Sequence, residues 1–313
     1  MATMYLNLVK FNAEDFDKAV SLLEDSNHNI SFLKYLKVDN HLLDVEEGTF
    51  TYKAWNTICS PSKVYLEHIE NHISNLIKTF KGTRGEFIAE SNKPTNKPFV
   101  VNVLRAYSPL YDTKSTALLT DDDYKKFNNI LQTAWNYHEF GYSTWYSHNN
   151  AVLGCKWDCS DSDIWDENNI ITYDTANGIP TPFYRRFHEE TGIPFRVFYA
   201  SDDFGVRYGI IEYVNGEEHE VLCGTYETYK EDKVTALAIA TYLLSDTDTD
   251  ISNLRQHTGW EEDEFAEIIG IPYQDFVVDY SIKADLVKGF FEVVSETPIG
   301  QLPQVKPTEL IIK

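Results

Sequence analysis

Cysteine and histidine side chains are the first candidates for metal chemistry in this 313-residue chain. Cys155 and Cys159 are four residues apart, with Asp158 between them and His148 upstream. A structural zinc site is normally built from two close pairs of Cys or His, and no second pair accompanies this one. We therefore interpret both cysteines as buried or incidental thiols. The spacing predicts no metal and no cofactor.

His68 and His72 are the second candidate pair, because they are four residues apart on a predicted helix. The zincin motif H-E-x-x-H needs Glu directly after the first His, and Ile69 stands there. The chain also lacks the nucleophile-elbow, phosphate-loop and dinucleotide-binding motifs. With 49 Asp and Glu, no carboxylate pair stands out as acid and base. We predict that the protein is not an enzyme, with a small-molecule enzyme of unrecognised site as the second alternative.

Aromatic and charged side chains form a dense cluster at Trp145, Tyr146, Lys156, Trp157 and Asp158. Trp and Tyr frequently anchor protein interfaces, so the cluster is a candidate protein-binding surface. The alternative is that both tryptophans stack into the core while the lysine and the aspartate pair at its rim.

The charge balance limits the partners that the protein can bind. Twenty-seven Lys and Arg face 49 Asp and Glu, for a formal net charge of -22. This surface repels nucleic-acid phosphates and anionic lipids but attracts a basic protein surface, although acidity can also serve solubility alone. Residues 1–20 lack the layout of a signal peptide, and the apolar stretch 236–244 is too short for a membrane span. We expect a cytoplasmic protein that binds neither membrane nor nucleic acid.

Apolar periodicity predicts the elements that would position these side chains. Predicted strands cover residues 4–10, 99–104, 169–174, 194–200, 206–214 and 220–222. Predicted helices begin at Asn12 and Thr120 and cover 62–80, 180–190, 235–244, 253–257, 261–269 and 273–280. Residues 82–98, rich in Gly, Asn, Lys and Pro, predict an exposed loop.

The order strand, helix, strand, strand over residues 169–222 is half of a ferredoxin-like sandwich. We therefore predict an α+β fold, in which one or more ferredoxin-like antiparallel sheets carry helices on one face and a mainly helical C-terminal region follows. The predicted domains are an N-terminal α+β region at 1–135, a ferredoxin-like domain at 136–222 and an acidic helical region at 223–313.

Residues 141–146 (GYSTWY) and 154–158 (GCKWD) resemble a known signature. They are similar to the YubB-type ferredoxin-like family of plasmid and phage proteins, in which G-Y-x-x-W-Y precedes W-G-T-K-W-D. Residues 170–182 resemble the strand and turn that follow in that family, and residues 56–61 resemble an element nearer the N-terminus. The resemblance is best over residues 140–215. It implies a ferredoxin-like fold and a mobile-element origin, and it implies no activity.

Residues 254–273 resemble the helix-turn-helix of Cro/C1-type repressors, with a turn at Gly270-Ile271-Pro272. A helix that reads DNA needs Arg, Lys, Asn or Gln for base edges and phosphates. The corresponding helix, residues 272–280, offers one Gln and two Asp but no Lys or Arg. This chemistry favours a packing or protein-docking module. The preceding helix opens on three acids that we predict to contact protein: Glu261, Glu262 and Asp263.

Together these patterns predict an accessory protein of a phage or other mobile element that binds and inhibits a host protein. A nucleic-acid-processing defence complex fits the charge, because an acidic surface complements a basic channel. We also expect a homo-oligomer, since symmetric oligomers are common. The first alternative is a DNA-binding transcriptional regulator that acts through the helix-turn-helix-like segment.

Overall fold

A computed structural model describes residues 2–38, 62–107, 119–245 and 249–307, with side chains from residue 66 onward in the second range. The chain forms two compact units, a sheet unit (residues 1–37 and 152–313) and a helical unit (residues 38–151). The predicted domain boundaries differ from this division. Position 135 falls inside the helix Asp121–Phe140, and position 222 falls inside the strand Glu217–Gly224. Residues 56–61 and Cys59 lie outside the described ranges.

The described residues form six β-strands and thirteen α-helices. The strands are β1 (Met4–Phe11), β2 (Ser160–Trp165), β3 (Ile170–Ala176), β4 (Phe195–Ser201), β5 (Tyr208–Val214) and β6 (Glu217–Gly224). The helices are α1 (Ala13–Leu23), α2 (Phe32–Leu36), α3 (Ser62–Thr79), α4 (Arg84–Ser91), α5 (Lys97–Tyr107), α6 (Asp121–Phe140), α7 (Trp145–Val152), α8 (Thr181–Thr191), α9 (Tyr226–Glu231), α10 (Lys233–Leu244), α11 (Ile251–Thr258), α12 (Glu262–Ile269) and α13 (Tyr273–Glu296). None of these helices is both long enough and apolar enough to cross a membrane.

The sheet unit is built on one antiparallel sheet with the strand order β2-β3-β1-β4-β5-β6. Strand β1 lies between β3 and β4 and is antiparallel to both, so β3 and β4 run parallel to each other. Helix α8 connects them, which makes β3-α8-β4 a split β-α-β unit around β1. The α+β prediction is confirmed. The N-terminal residues belong to this unit because they supply its central strand.

Side chains alternate between the two faces of the sheet, as the strand period of two requires. On the first face, Tyr5, Val9 and Phe11 of β1 are buried against α1, α2 and α8. On the second face, α10 and α13 pack over β4 and β5. The prediction that helices cover one face is wrong. The helical C-terminal region does not stand apart from the sheet, because its apolar faces need a partner and the second face supplies one.

The helical unit has its own apolar core, formed by α3, α4, α5 and α6. The predicted loop 82–98 and the strand 99–104 are wrong, because α4 and α5 occupy this segment. A capping box between Thr83 and Glu86 starts α4. In α5, Val100, Val103 and Leu104 are buried at helical spacing, so packing overrides the β preference of valine.

Candidate functional site

A groove of about 580 Å³ lies on the second face of the sheet, beside α10 and α13. The two helices cover β4 and β5 but leave side chains of β1, β3 and β2 partly or fully exposed. Seventeen residues line the groove: Leu6, Leu8, Lys10, Asp161, Asp163, Trp165, Asn168, Ile170, Thr172, Asp174, Phe198, Tyr199, Ala200, Tyr242, Leu243, Phe291 and Ser295. We refer to it as the sheet groove.

The floor and one wall of the sheet groove are apolar. Leu6 and Leu8 of β1 and Ile170 of β3 form the floor, because alternate side chains of these strands point away from the first-face core. Tyr242 of α10 and Phe291 of α13 form the wall, where their rings stack at 4.3 Å between centroids. This side of the groove therefore offers apolar contact.

The opposite rim of the sheet groove is acidic and carries one aromatic side chain. Asp161 and Asp163 lie on β2, and Asp174 lies on the neighbouring strand β3. Among the described residues, none of these three carboxylates forms an ion pair. Trp165 ends β2 with half of its side chain exposed (50%). The rim thus presents negative charge and an indole to anything that enters.

Burial and like charge raise the pKa of Asp174. Removal from water is the largest cause, followed by the carboxylates of Asp161 and Asp202. Lys10, the basic residue of the groove, instead donates from Nζ to the carbonyl of Ser295 at 3.1 Å. Burial, with a smaller effect of Arg196, lowers the pKa of Lys10. A bound cation beside Asp174 would therefore relieve an unfavourable charge.

Strand β2 is an edge strand that is poorly suited to pairing with another strand. A register irregularity interrupts its pairing with β3 between Ser160 and Asp163. Asp161 at this point has a left-handed backbone with φ of 48°. Bulges and charges on an edge strand are devices that prevent strand addition. The edge of the groove therefore favours contacts from side chains over contacts from a strand backbone.

The predicted aromatic cluster is divided between the two units. Trp145 and Tyr146 lie in the helical unit at the start of α7, where their rings meet edge-on at 5.8 Å. Lys156 and Trp157 lie in the sheet unit, with Lys156 Nζ 4.4 Å from the centre of the Trp157 ring. Trp157 is 45% exposed, so it does not stack into the core. Exposure leaves Trp157 available to a partner.

Asp158 has a structural role next to that exposed tryptophan. Its carboxylate accepts hydrogen bonds from the Ser31 hydroxyl at 2.6 Å and from the backbone N–H of Phe32 and Cys159 at 2.8 and 3.0 Å. Ser31 is the N-cap of α2, so Asp158 holds the start of that helix against the sheet unit.

Of the two nearby thiols in the sheet unit, Cys155 is buried and Cys159 is partly buried. Cys155 donates to the carbonyl of Trp157 at 3.1 Å, and Cys159 donates to the carbonyl of Ile30 at 2.7 Å. Burial, assisted by the charge of Asp158, raises the pKa of Cys155 to about 12, and the pKa of Cys159 also rises. Across the described ranges, no group of three or more His, Cys, Asp and Glu is arranged to hold a metal.

The predicted docking acids Glu261, Glu262 and Asp263 lie exposed at the start of α12. Glu261 is its N-cap, and its carboxylate is 3.0 Å from Arg255. The three acids are not among the residues that line the sheet groove. They therefore form a separate acidic surface.

The outer face of α13 carries an apolar stripe, which we call the outer stripe: Val278, Ile282, Leu286 and Val293. These side chains are 62, 57, 39 and 61% exposed. They follow helical spacing on the side opposite the buried residues Phe276, Tyr280 and Phe291. The fold of one chain buries one of the two apolar faces of α13 and leaves the outer stripe exposed.

Sequence reasoning missed the sheet groove, although a signal for it exists. Asp161, Asp163 and Trp165 alternate along β2, and Ile170, Thr172 and Asp174 alternate along β3. A strand assigned to residues 160–165 would have placed these two sets on one face.

Comparison of the chain with models of known protein families, with curated proteins and with solved structures finds no match.

Proposed function

We propose that this protein works by binding another protein in the sheet groove and blocking it. The observation that carries the proposal is the apolar floor beside three carboxylates, Asp161, Asp163 and Asp174, which form no ion pair among the described residues. Exposed apolar surface next to a polar rim is typical of protein-interaction sites. Unpaired carboxylates add selectivity for a cationic partner.

The blocked partner is a host protein with a basic surface, and a nucleic-acid-processing defence complex is the class that fits. The net charge of -22 supports this proposal, because the protein can compete with nucleic acid for a cationic channel. The resemblance of residues 140–215 to mobile-element proteins supports a counter-defence role. The split β-α-β unit around β1 is compatible with the ferredoxin-like fold of that family.

We further propose that the protein is a homo-oligomer through the outer stripe of α13. Antiparallel pairing of two copies places Val278 opposite Val293 and Ile282 opposite Gly289. A Cβ built on Gly289 meets no atom within 4 Å, so its own fold does not require this glycine. A glycine inside a helix costs about 1 kcal/mol relative to alanine, and close approach of a second helix offsets that cost.

The alternative, a DNA-binding regulator, has one structural observation in its favour. Helices α12 and α13 are joined by a three-residue turn, and the rings of Phe265 and Phe276 stack across it at 5.1 Å. The exposed side chains at the start of α13 include Gln274, Asp275 and Val278. One amide among acidic and apolar groups is a poor reader of base edges, and the acids repel phosphate. We therefore rank this function second.

Two exposed tryptophans provide a matched test of the proposed function. Tagged wild-type protein, Trp165→Ala and Trp157→Ala are used to capture partners from host lysate at low salt, with circular dichroism to check folding. We expect a stoichiometric partner with wild type and Trp157→Ala and a large loss with Trp165→Ala, since only Trp165 lines the groove. Capture lost with Trp157→Ala alone would move the site to the predicted cluster. No partner with wild type would reject the proposal.

A further inference from the structure

We propose that the occupant of the sheet groove is a cationic amphipathic α-helix of the partner. This inference rests on the proposed function and adds the shape and chemistry of the bound segment. The helix lies with its apolar face on β1 and β3, beside α10 and α13, and directs Lys or Arg side chains towards β2. Three features of the groove support it: its width, the asymmetry of its lining and the form of its edge.

The width of the exposed part of the sheet matches one helix. Three strands, β1, β3 and β2, lie side by side at the groove. With neighbouring strands about 4.8 Å apart, the outer two are roughly 10 Å apart, which is about the diameter of a helix with its side chains. Helices α10 and α13 already pack on the same face. An added helix would extend this existing layer.

The lining of the groove assigns the orientation of the bound helix. Its apolar side, with the partly exposed residues Leu6, Leu8 and Leu243, adjoins the resident helices, whereas its acidic side lies on β2 and β3. Asp161 and Asp163 are two residues apart on β2, and both line the groove. Basic residues at positions i and i+4 of a helix lie on one face about 6 Å apart, and their long side chains allow one such pair to reach both carboxylates.

The edge of the groove argues against other occupants. A strand would have to pair with β2, whose register is interrupted and whose residue Asp161 has a left-handed backbone. A nucleic acid or an anionic lipid surface would meet the three carboxylates of the rim, which repel phosphate. A small cation would leave the apolar floor unused. A helix with an apolar face and a basic flank uses both parts of the lining.

The probe for this proposal is a designed peptide of about 18 residues, or five helical turns, made of Leu and Lys in an amphipathic pattern. Its partner is the full chain. A scrambled peptide of the same composition lacks the pattern, and spermidine supplies cationic charge without an apolar face. Binding is measured by calorimetry and peptide helicity by circular dichroism. A change in tryptophan fluorescence that is lost in Trp165→Ala locates the peptide at the groove, because the chain has six tryptophans.

Two triple variants with the same change in charge separate the groove from the general acidity of the protein. Asp161→Asn/Asp163→Asn/Asp174→Asn neutralises the rim, and Asp17→Asn/Glu189→Gln/Glu217→Gln neutralises three exposed acids that do not line the groove. We expect the rim variant to bind the peptide about tenfold more weakly and the control to stay within about twofold. The peptide should gain helix on binding, and the scrambled peptide should bind at least about tenfold more weakly.

Equal weakening in both variants, or equal binding of the scrambled peptide or spermidine, would overturn the helix proposal. It would also fall if the peptide did not bind while Trp165→Ala still abolished capture of the host partner, and in that case the proposed function would stand. Conversely, rim-dependent peptide binding without any captured host partner would support the helix and reject the inhibitor. The two proposals can therefore fail separately.

Discussion

Arg196 of β4 lies directly opposite Glu212 of β5, and their side chains form an ion pair that is 1% and 0% exposed. Arg196 Nε and Nη2 are 2.8 and 2.6 Å from the same carboxylate oxygen, and Nη2 also donates to the carbonyl of Thr297 at 3.0 Å. The second oxygen of Glu212 accepts from the backbone N–H of Gly300 at 3.1 Å. The pair therefore holds the end of α13 on the sheet, next to the groove wall.

Removing one member of this pair should be costly. We expect Arg196→Met to lower the free energy of unfolding by about 3–5 kcal/mol, because the Glu212 carboxylate would remain buried without its partner. Urea denaturation followed by circular dichroism measures this change. The double variant Arg196→Met/Glu212→Leu should recover most of the loss, since no buried charge remains. If the double variant were as unstable as the single one, contacts with the end of α13 would account for the cost.

The outer stripe of α13 predicts a separation between stability and association. Ile282→Lys should leave the free energy of unfolding of the isolated chain within about 0.5 kcal/mol, because the side chain is 57% exposed. The same change should shift the mass in light scattering from twice the 36.1 kDa of one chain towards one chain. Phe276→Ala, on the buried face of α13, should instead cost about 3–5 kcal/mol. A wild-type protein that stays monomeric at all concentrations would contradict the expected oligomer.

Local sequence signals predict several elements well but not the pairing between them. Thr120 and Asp123 form the cap of α6, with hydrogen bonds of 2.8 and 3.3 Å, at the residue where the sequence predicts this helix to begin. The strand of residues 4–10 is confirmed as β1, but its neighbours β3 and β4 begin more than 150 residues later. Strand order depends on which apolar faces cover each other, and alternation along one strand carries no such information.

The sheet groove could not be predicted from the sequence for the same reason. Its lining comes from β1, β2, β3, α10 and α13, which no local motif connects. The sequence does predict its chemistry in part, because the excess of acids favours cationic partners. The aromatic cluster is conspicuous in composition, yet Asp158 within it holds the start of a helix, whereas its neighbour Trp157 is 45% exposed.

Asp158 and Trp157 therefore differ in what their loss should do. Asp158→Ala should lower the free energy of unfolding by about 1–3 kcal/mol, because the N–H groups of Phe32 and Cys159 lose a charged acceptor. Trp157→Ala should change it by less than about 0.5 kcal/mol, since the indole is exposed. Thermal and urea denaturation of both variants test the contrast. Equal losses of unfolding free energy in the two variants would mean that the Trp157 indole makes stabilising contacts within the folded protein.

Asp174 should make both stability and binding depend on pH. Burial raises the pKa of Asp174 in the folded protein above the ordinary value of 3.8, so folding favours its protonated form. Between these two pKa values the folded state binds more protons, and the stability that Asp174 contributes falls as pH rises. Asp174→Asn should therefore raise the melting temperature at pH 7, and this gain should vanish below about pH 4.

A cationic helix in the groove stabilises the ionised carboxylate, so its affinity should weaken as Asp174 becomes protonated. Calorimetric titrations of wild type and Asp174→Asn from neutral to acidic pH should show a steeper loss of affinity in wild type; parallel profiles would remove Asp174 from the binding rim.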